Sequence, residues 1–294
     1  MKNFDYAAPT SLAEASSLLA RAPGVARVLA GGTDLIVQLR ERLRDADLVV
    51  DVKRIPELTD VVYTPAAGLR LGAATPCYQV YENPQISAAY AALADAARIV
   101  GGWQIQSRAS IGGNLCNSSP AGDTLAPLVA LQARAVIAGL DGTRETPVAE
   151  FCTAPGRNVL AKGELLAALV FPAPVAGGGS AYQRFIPRNE MDIALAGVAS
   201  WVQLNAAGDT IVAARVALSA VAPTVRLADD ASAWLAGKPA VEATYAEAGE
   251  RAKAVASPIS DMRGTAEFRT HLVGVLAKRT LAQAVERARS RQAN

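Results

Sequence analysis

Histidine is all but missing. His271 is the single one in 294 residues, so neither a histidine-based metal site nor a Ser–His nucleophile is expected. Cysteine is scarce as well. Cys77, Cys116 and Cys152 stand far apart, and no two make a Cys-x-x-Cys pair. They supply no zinc site, no cluster-binding motif and no disulfide framework. Neither sign of charge is in excess: 29 Lys and Arg against 27 Asp and Glu leave a formal +2. That balance gives no reason to expect a polyanion, so no nucleic-acid partner is expected. No uninterrupted apolar run reaches the ~18 residues of a membrane span, and Met1 to Tyr6 carry no apolar leader. The expectation is a soluble, cytoplasmic protein with no membrane span.

What is present is apolar: 51 % of the chain, enough for a sizeable core in one large or two ordinary domains. Ser11-Leu-Ala-Glu14 reads as a capping box, so a helix is predicted to about Arg21, where Pro23-Gly24 ends it. Ala26 to Ala30 reads as a strand running into Gly31-Gly32. Leu35, Ile36, Leu39 and Leu43 stripe a helix after it, and Leu48 to Val52 reads as a buried strand. Residues 25–53 thus form a βαβ-like unit. Further on, strands are predicted at 69–74, 134–140 and 165–171, and an Ala-rich helix at 85–100 stopping at Gly101-Gly102. Pro172 to Ser180, with three glycines in a row, reads as a linker. Strands at 182–186, 194–204 and 211–221 suggest an antiparallel meander, and 225–289 a helical tail of about three helices. The fold class expected is α+β.

Two glycine-rich stretches carry the chemistry. "LAGGTD" at 29–34 sits where a predicted strand becomes a helix. Glycines there admit positive φ and let a ligand approach the main chain, and a helix start presents free N–H groups. The same pair also suits a plain tight turn. It is neither a Rossmann fingerprint nor a Walker loop. "ASIGGNLCNSSPAGD" at 109–123 runs without a charge until Asp123. Gly112-Gly113 can form a nest for phosphate oxygens, with Ser110 and Asn114 as neutral donors. Asp123 either accepts from ribose hydroxyls or caps the helix that follows. Asn117, Ser118 and Ser119 either reach a ligand or merely turn the chain before Pro120. Cys116 is either a packed thiol or a ligand neighbour.

Together, "LAGGTDL" at 29–35, "ASIGGNLCNSSPAGD" at 109–123 and "YQRFIPRNEMDIALAG" at 182–197 resemble the flavin-binding medium subunit of the xanthine dehydrogenase/carbon monoxide dehydrogenase molybdenum hydroxylases. The resemblance covers the whole chain. It implies a vanillyl-alcohol-oxidase/MurB-type FAD-binding domain over 1–174, in subdomains of about 1–55 and 56–174. A C-terminal domain over 175–294 would then hold a three-stranded antiparallel sheet and a helix bundle. It implies FAD on this chain, with Ala30, Gly31, Gly32, Thr33 and Asp34 in the first loop and Ser110, Ile111, Gly112, Gly113 and Asn114 in the second. Asp123 is expected at the ribose or adenosine side and Leu166 near the adenine. A family lysine near the flavin falls at Arg184, where this chain keeps the charge but not the geometry. Arg184 is otherwise an ordinary solvated strand residue.

Partners follow from the same resemblance: a small [2Fe–2S] subunit and a large subunit with the molybdopterin cofactor, assembled as a dimer of heterotrimers. The flavin would pass electrons to NAD, a quinone or oxygen. Two other readings stand beside this one. A free-standing flavin oxidase or reductase needs an acid or base at the flavin. His271 in a tail helix, and Tyr78 and Tyr81 near a Gly-rich sheet, read better as surface or core. A non-enzymatic nucleotide-binding module would carry no yellow chromophore.

Overall fold

The computed structural model describes residues 2–188 and 191–293. The chain starts with a small parallel sheet of β1 (Asp5–Ala7), β2 (Ala26–Leu29) and β3 (Leu48–Asp51), in the order β1-β3-β2. Between them run α1 (Leu12–Arg21) and α2 (Leu35–Arg40). The capping box forms: Ser11 Oγ accepts from Glu14 N at 3.2 Å, and the Glu14 carboxylate accepts from Thr10 N at 3.0 Å. Central β3 carries Val49 and Val50, both buried, as a strand paired on both edges should.

A second, antiparallel layer follows. Its strands are β4 (Val61–Thr64), β5 (Gly68–Gly72), β6 (Arg134–Gly139) and β7 (Gly142–Pro147), then a two-strand hairpin of β8 (Cys152–Ala154) and β9 (Arg157–Asn158), and β10 (Leu165–Phe171). The main sheet runs β4-β5-β10-β6-β7. Seven short helices pack around it: α3 (Cys77–Glu82), α4 (Pro84–Ala89), α5 (Ala91–Ala97), α6 (Trp103–Gln106), α7 (Ile111–Asn117), α8 (Leu125–Ala130) and α9 (Val148–Phe151).

The helix expected over 85–100 is broken in two. Tyr90 leaves the helix at φ −127°, ψ 54°. Its hydroxyl donates to the Pro172 carbonyl at 2.8 Å and its ring packs on Phe171 with centroids 5.4 Å apart. Burying that ring against the end of β10 outweighs the helix propensity of the alanine run.

The third layer is an antiparallel sheet of β11 (Gly178–Phe185), β12 (Ala196–Leu204), β13 (Ile211–Ser219) and β14 (Arg226–Leu227), in that order. It has four strands where the sequence suggested three; β14 is two residues long and too short to leave a pattern. Against it pack α10 (Asp229–Leu235), α11 (Glu242–Ala252) and the long α12 (Ala266–Ala293). The glycine run read as linker is part of this packing. Gly177 turns the chain at φ +69°, and β11 already begins at Gly178. A Cβ on Gly179 would lie 2.1 Å from the Ala284 carbonyl oxygen, so bare backbone lets α12 seat on β11.

The second and third layers are tied by charge. The Asp95 carboxylate on α5 takes two bonds from Arg287 on α12, at 2.6 and 2.9 Å, and one from Tyr182 N on β11 at 3.0 Å. Arg215 donates to the Ala130 carbonyl at 2.6 Å while its guanidinium lies 3.6 Å over the Trp201 ring. Among the described residues, no helix is long and apolar enough to cross a membrane.

Candidate functional site

A cavity of about 570 Å³ opens between the parallel sheet and the helix-covered sheet. That size suits a cofactor. One wall is β2, the turn after it and α2; the other is the start of α7; Leu166 on β10 closes it from below.

The first turn is held from behind. Lys53 Nζ donates to the Ala30 carbonyl at 3.0 Å and to Asp51 at 2.6 Å, and the Tyr6 hydroxyl donates to Asp51 at 2.7 Å. Burial alone would raise the Asp51 pKa, but the bonds from Lys53 and Tyr6 outweigh it and leave the carboxyl below its ordinary value. Gly31 follows, and a Cβ there would fall 1.8 Å from the Arg108 carbonyl oxygen. The two glycine stretches therefore pack backbone on backbone. Gly32 turns the chain at φ +79°. Asp34 precedes α2 without capping it through its side chain, and surrounding protein raises its pKa. A carboxyl at the cavity wall with no cap to serve can accept from sugar-alcohol hydroxyls.

The second stretch is not a bare loop. Residues 111–117 are helix α7, with Ser110 as N-cap. Ser110 Oγ accepts from Gly113 N at 3.1 Å. A Cβ on Gly112 would lie 2.4 Å from the Ala73 carbonyl oxygen, so this glycine seats α7 on the end of β5. A Cβ on Gly113 would meet only Ser110 Oγ, at 2.9 Å, and this glycine lines the cavity. Asn114 Oδ1 accepts from Thr124 N at 3.3 Å and Thr124 Oγ1 at 2.8 Å, which leaves its NH₂ as the donor at the wall. At the far end of α7, Asn117 Oδ1 accepts from Gln38 Nε2 at 3.1 Å, joining α7 to α2. Ser118 ends the helix at φ +52° with its hydroxyl on the Leu115 carbonyl, a structural role.

The structure brings Ala30, Gly31, Gly32, Thr33, Asp34, Ser110, Gly112, Gly113, Asn114 and Leu166 to this one cavity. Three candidates are not among the residues that line it. The Ile111 side chain is wholly buried in the core. Asp123 and Arg184 pair with each other at 2.5 Å, both buried, outside the cavity wall. Burial raises the Asp123 pKa, and Arg184 offsets only part of that. Asp123 does not cap α8, since the N-cap position is Thr124. The pair ties β11 to the segment before α8, so Arg184 is not a solvated strand residue. Asn189 and Glu190 of the third motif lie outside the described residues.

His271 is exposed on α12, and the Tyr81 hydroxyl is occupied by Gln106 at 3.0 Å. Cys116 and Asn117 do line the cavity. So do Arg27, Arg44 and Lys162, which sequence reasoning passed over. Arg27 sits on β2, the strand before the glycines, and that position was its only signal.

The wall fits a dinucleotide: close backbone at the glycines, neutral donors at Ser110 and Asn114, cations at one end and an apolar bed at Leu166. Fold and cavity together define a nucleotide-cofactor protein of α+β architecture. Comparison with known proteins gives the family. Residues 2–174 match the FAD binding domain in molybdopterin dehydrogenase, and residues 180–284 match the CO dehydrogenase flavoprotein C-terminal domain. The carbon monoxide dehydrogenase medium chain of Hydrogenophaga pseudoflava is 31 % identical over 95 % of this chain and 96 % of its own. The xanthine dehydrogenase FAD-binding subunit of Escherichia coli O157:H7 is 32 % identical over 97 % and 98 %.

Among solved structures, carbon monoxide dehydrogenase from H. pseudoflava lacking the Mo-pyranopterin moiety superposes with a TM-score of 0.91 at 32 % identity, covering 97 % of this chain and 98 % of that one. Quinoline 2-oxidoreductase from Pseudomonas putida 86 gives 0.90 at 28 %, covering 98 % and 99 %. The chain belongs to the family of FAD-binding subunits of the molybdenum hydroxylases, alongside the carbon monoxide and xanthine dehydrogenases.

Proposed function

We propose that this chain is the electron-transfer subunit of a three-chain molybdenum hydroxylase. It receives electrons from [2Fe–2S] clusters on a small partner, reduced in turn by a molybdopterin cofactor on a large one. It delivers them to NAD, a quinone or oxygen. The complex is a dimer of such heterotrimers and works in the cytoplasm, where Cys77, Cys116 and Cys152 stay as free thiols. The reading is carried by the two-loop cavity on a chain whose relatives are dehydrogenase subunits. The chain's three cysteines are one short of the four that a thiolate-held cluster takes, so the clusters belong to another chain.

Bound FAD supplies the redox chemistry, accepting electrons singly or in pairs. The protein's own groups bind and orient it. Gly113 admits the cofactor close to the main chain, Gly31 lets the two glycine stretches pack against each other, Ser110 and Asn114 donate without bringing a charge, and Asp34 accepts from hydroxyls. Lys53 and Asp51 keep the first turn in place.

The test is affinity purification of this chain from its native cell. Co-purification with one small iron–sulfur chain and one large molybdenum chain is the expected result. A lone flavoprotein that turns over substrate unaided would overturn it.

A further inference from the structure

We propose that the outer face of α2, with the turn that ends it, is the surface on which the iron–sulfur partner docks. The proposal rests on the three-chain reading above and adds where on this chain that partner sits. α2 is a single helix between the cavity and solvent. Leu35 and Gln38 line the cavity, and Leu39 is buried. Ile36 and Val37 are turned out, 50 % and 43 % exposed, with exposed Arg40 one turn on. A helix that covers a core ordinarily shows polar residues on its outward face. Here the outward face is apolar as well.

The end of the helix repeats the pattern. Arg42 N donates to the Leu39 carbonyl at 3.3 Å and Leu43 N to the Gln38 carbonyl at 2.9 Å, the two bonds of a Schellman turn. Arg42 holds the left-handed position at φ +57°, where glycine is the usual residue. An apolar residue following that position commonly packs back on the last turn of the helix. Its seat here would be Gln38, which is polar and bonded to Asn117. Leu43 is left 74 % exposed. Ile36, Val37 and Leu43 thus all face water beside the cofactor wall.

One occupant fits this place. Electron transfer falls off steeply with distance, so a donor must sit where the wall is thin. One helix, about 10 Å across, separates this face from the cavity. A thiolate-held [2Fe–2S] cluster is anionic. The stretch 35–44 carries Arg40, Arg42 and Arg44 against Glu41 alone, so its charge complements such a partner. Apolar side chains at the centre with cations around them are the make-up of a docking face.

The test uses the whole complex, purified through a tag on this chain, as wild type, Val37→Glu, Leu43→Glu, the double variant and Val62→Glu. Val62 is 54 % exposed on β4 and controls for a carboxylate placed at any exposed apolar site. Small chain, large chain and FAD are each counted per copy of this chain. The double variant is expected to keep its FAD and to lose about tenfold or more of the small chain, while Val62→Glu keeps both. Should the double variant lose FAD, Leu43→Glu at the most exposed of the three positions decides by the same criterion. Small chain retained in full would overturn the proposal. So would loss of the large chain with the small one kept, or a self-dimer of the isolated wild-type chain that these substitutions break. A wild-type chain that co-purifies with no small chain would overturn the three-chain reading and this one together.

Discussion

Between Asp123 and Arg184 two layers of the chain share one buried ion pair, formed across 61 positions of sequence. Removing one partner strands the other without water. Arg184→Met is therefore expected to cost about 3–5 kcal/mol, read as a large drop in thermal midpoint. Arg184→Lys keeps the charge but not the fork and costs less, and Asp123→Asn combined with Arg184→Met recovers much of the loss. No local pattern could pair these residues. The resemblance to a flavin-binding family placed both at the cofactor, while the fold joins them to each other.

The thiols make a second residue-scale prediction. Burial pushes Cys77 and Cys116 up to about 12. At pH 8 about one in ten thousand of either is thiolate, the reactive form. Iodoacetamide followed by mass spectrometry should leave Cys77, which is wholly buried and off the cavity, unlabelled in the native protein and label all three cysteines once it is unfolded. Rapid native labelling at Cys77 would show an exposed thiol instead.

At the scale of the element, the two glycine stretches are less alike than their sequences. A side chain on Gly31 meets main chain at 1.8 Å, whereas one on Gly113 meets only a serine hydroxyl at 2.9 Å. Gly31→Ala should thus lose FAD and stability together. Gly113→Ala should keep its apo melting temperature close to wild type, because alanine adds up to ~1 kcal/mol of helix propensity, and still bind FAD more weakly. Equal thermal losses in the two variants would show that Gly113 serves packing alone.

The same comparison explains why α7 was illegible. Two adjacent glycines argue against a helix, yet the Ser110 cap and the seat of Gly112 on Ala73 hold one there. The first helix was legible because its signals, Ser11 and Glu14, are local. The break at Tyr90 was not, since its cause is Pro172, 82 positions away.

For the whole molecule, the α+β class and the opening βαβ unit could be read from hydrophobic period and turn residues, because those report which face is buried. The glycine run at 177–179 misled, since a close helix seat and a flexible linker use the same residue. Of the cations at the cavity, only Arg27 left a signal, its place on the strand before the glycines, because only the assembled fold brings Arg27 and Arg44 to one space.

The joint between layers rests on the Asp95–Arg287 fork. Arg287→Met should lower the thermal midpoint with little effect on flavin affinity, since neither residue lines the cavity. Thermal melts and FAD titration on the same sample separate the two effects. The most direct measurement of all is the flavin content of the purified chain: cofactor released by heat, identified by chromatography and counted against protein. One FAD per chain is the expected result. A chain that carries no flavin, and takes up none when titrated with FAD, would contradict the assignment of this cavity.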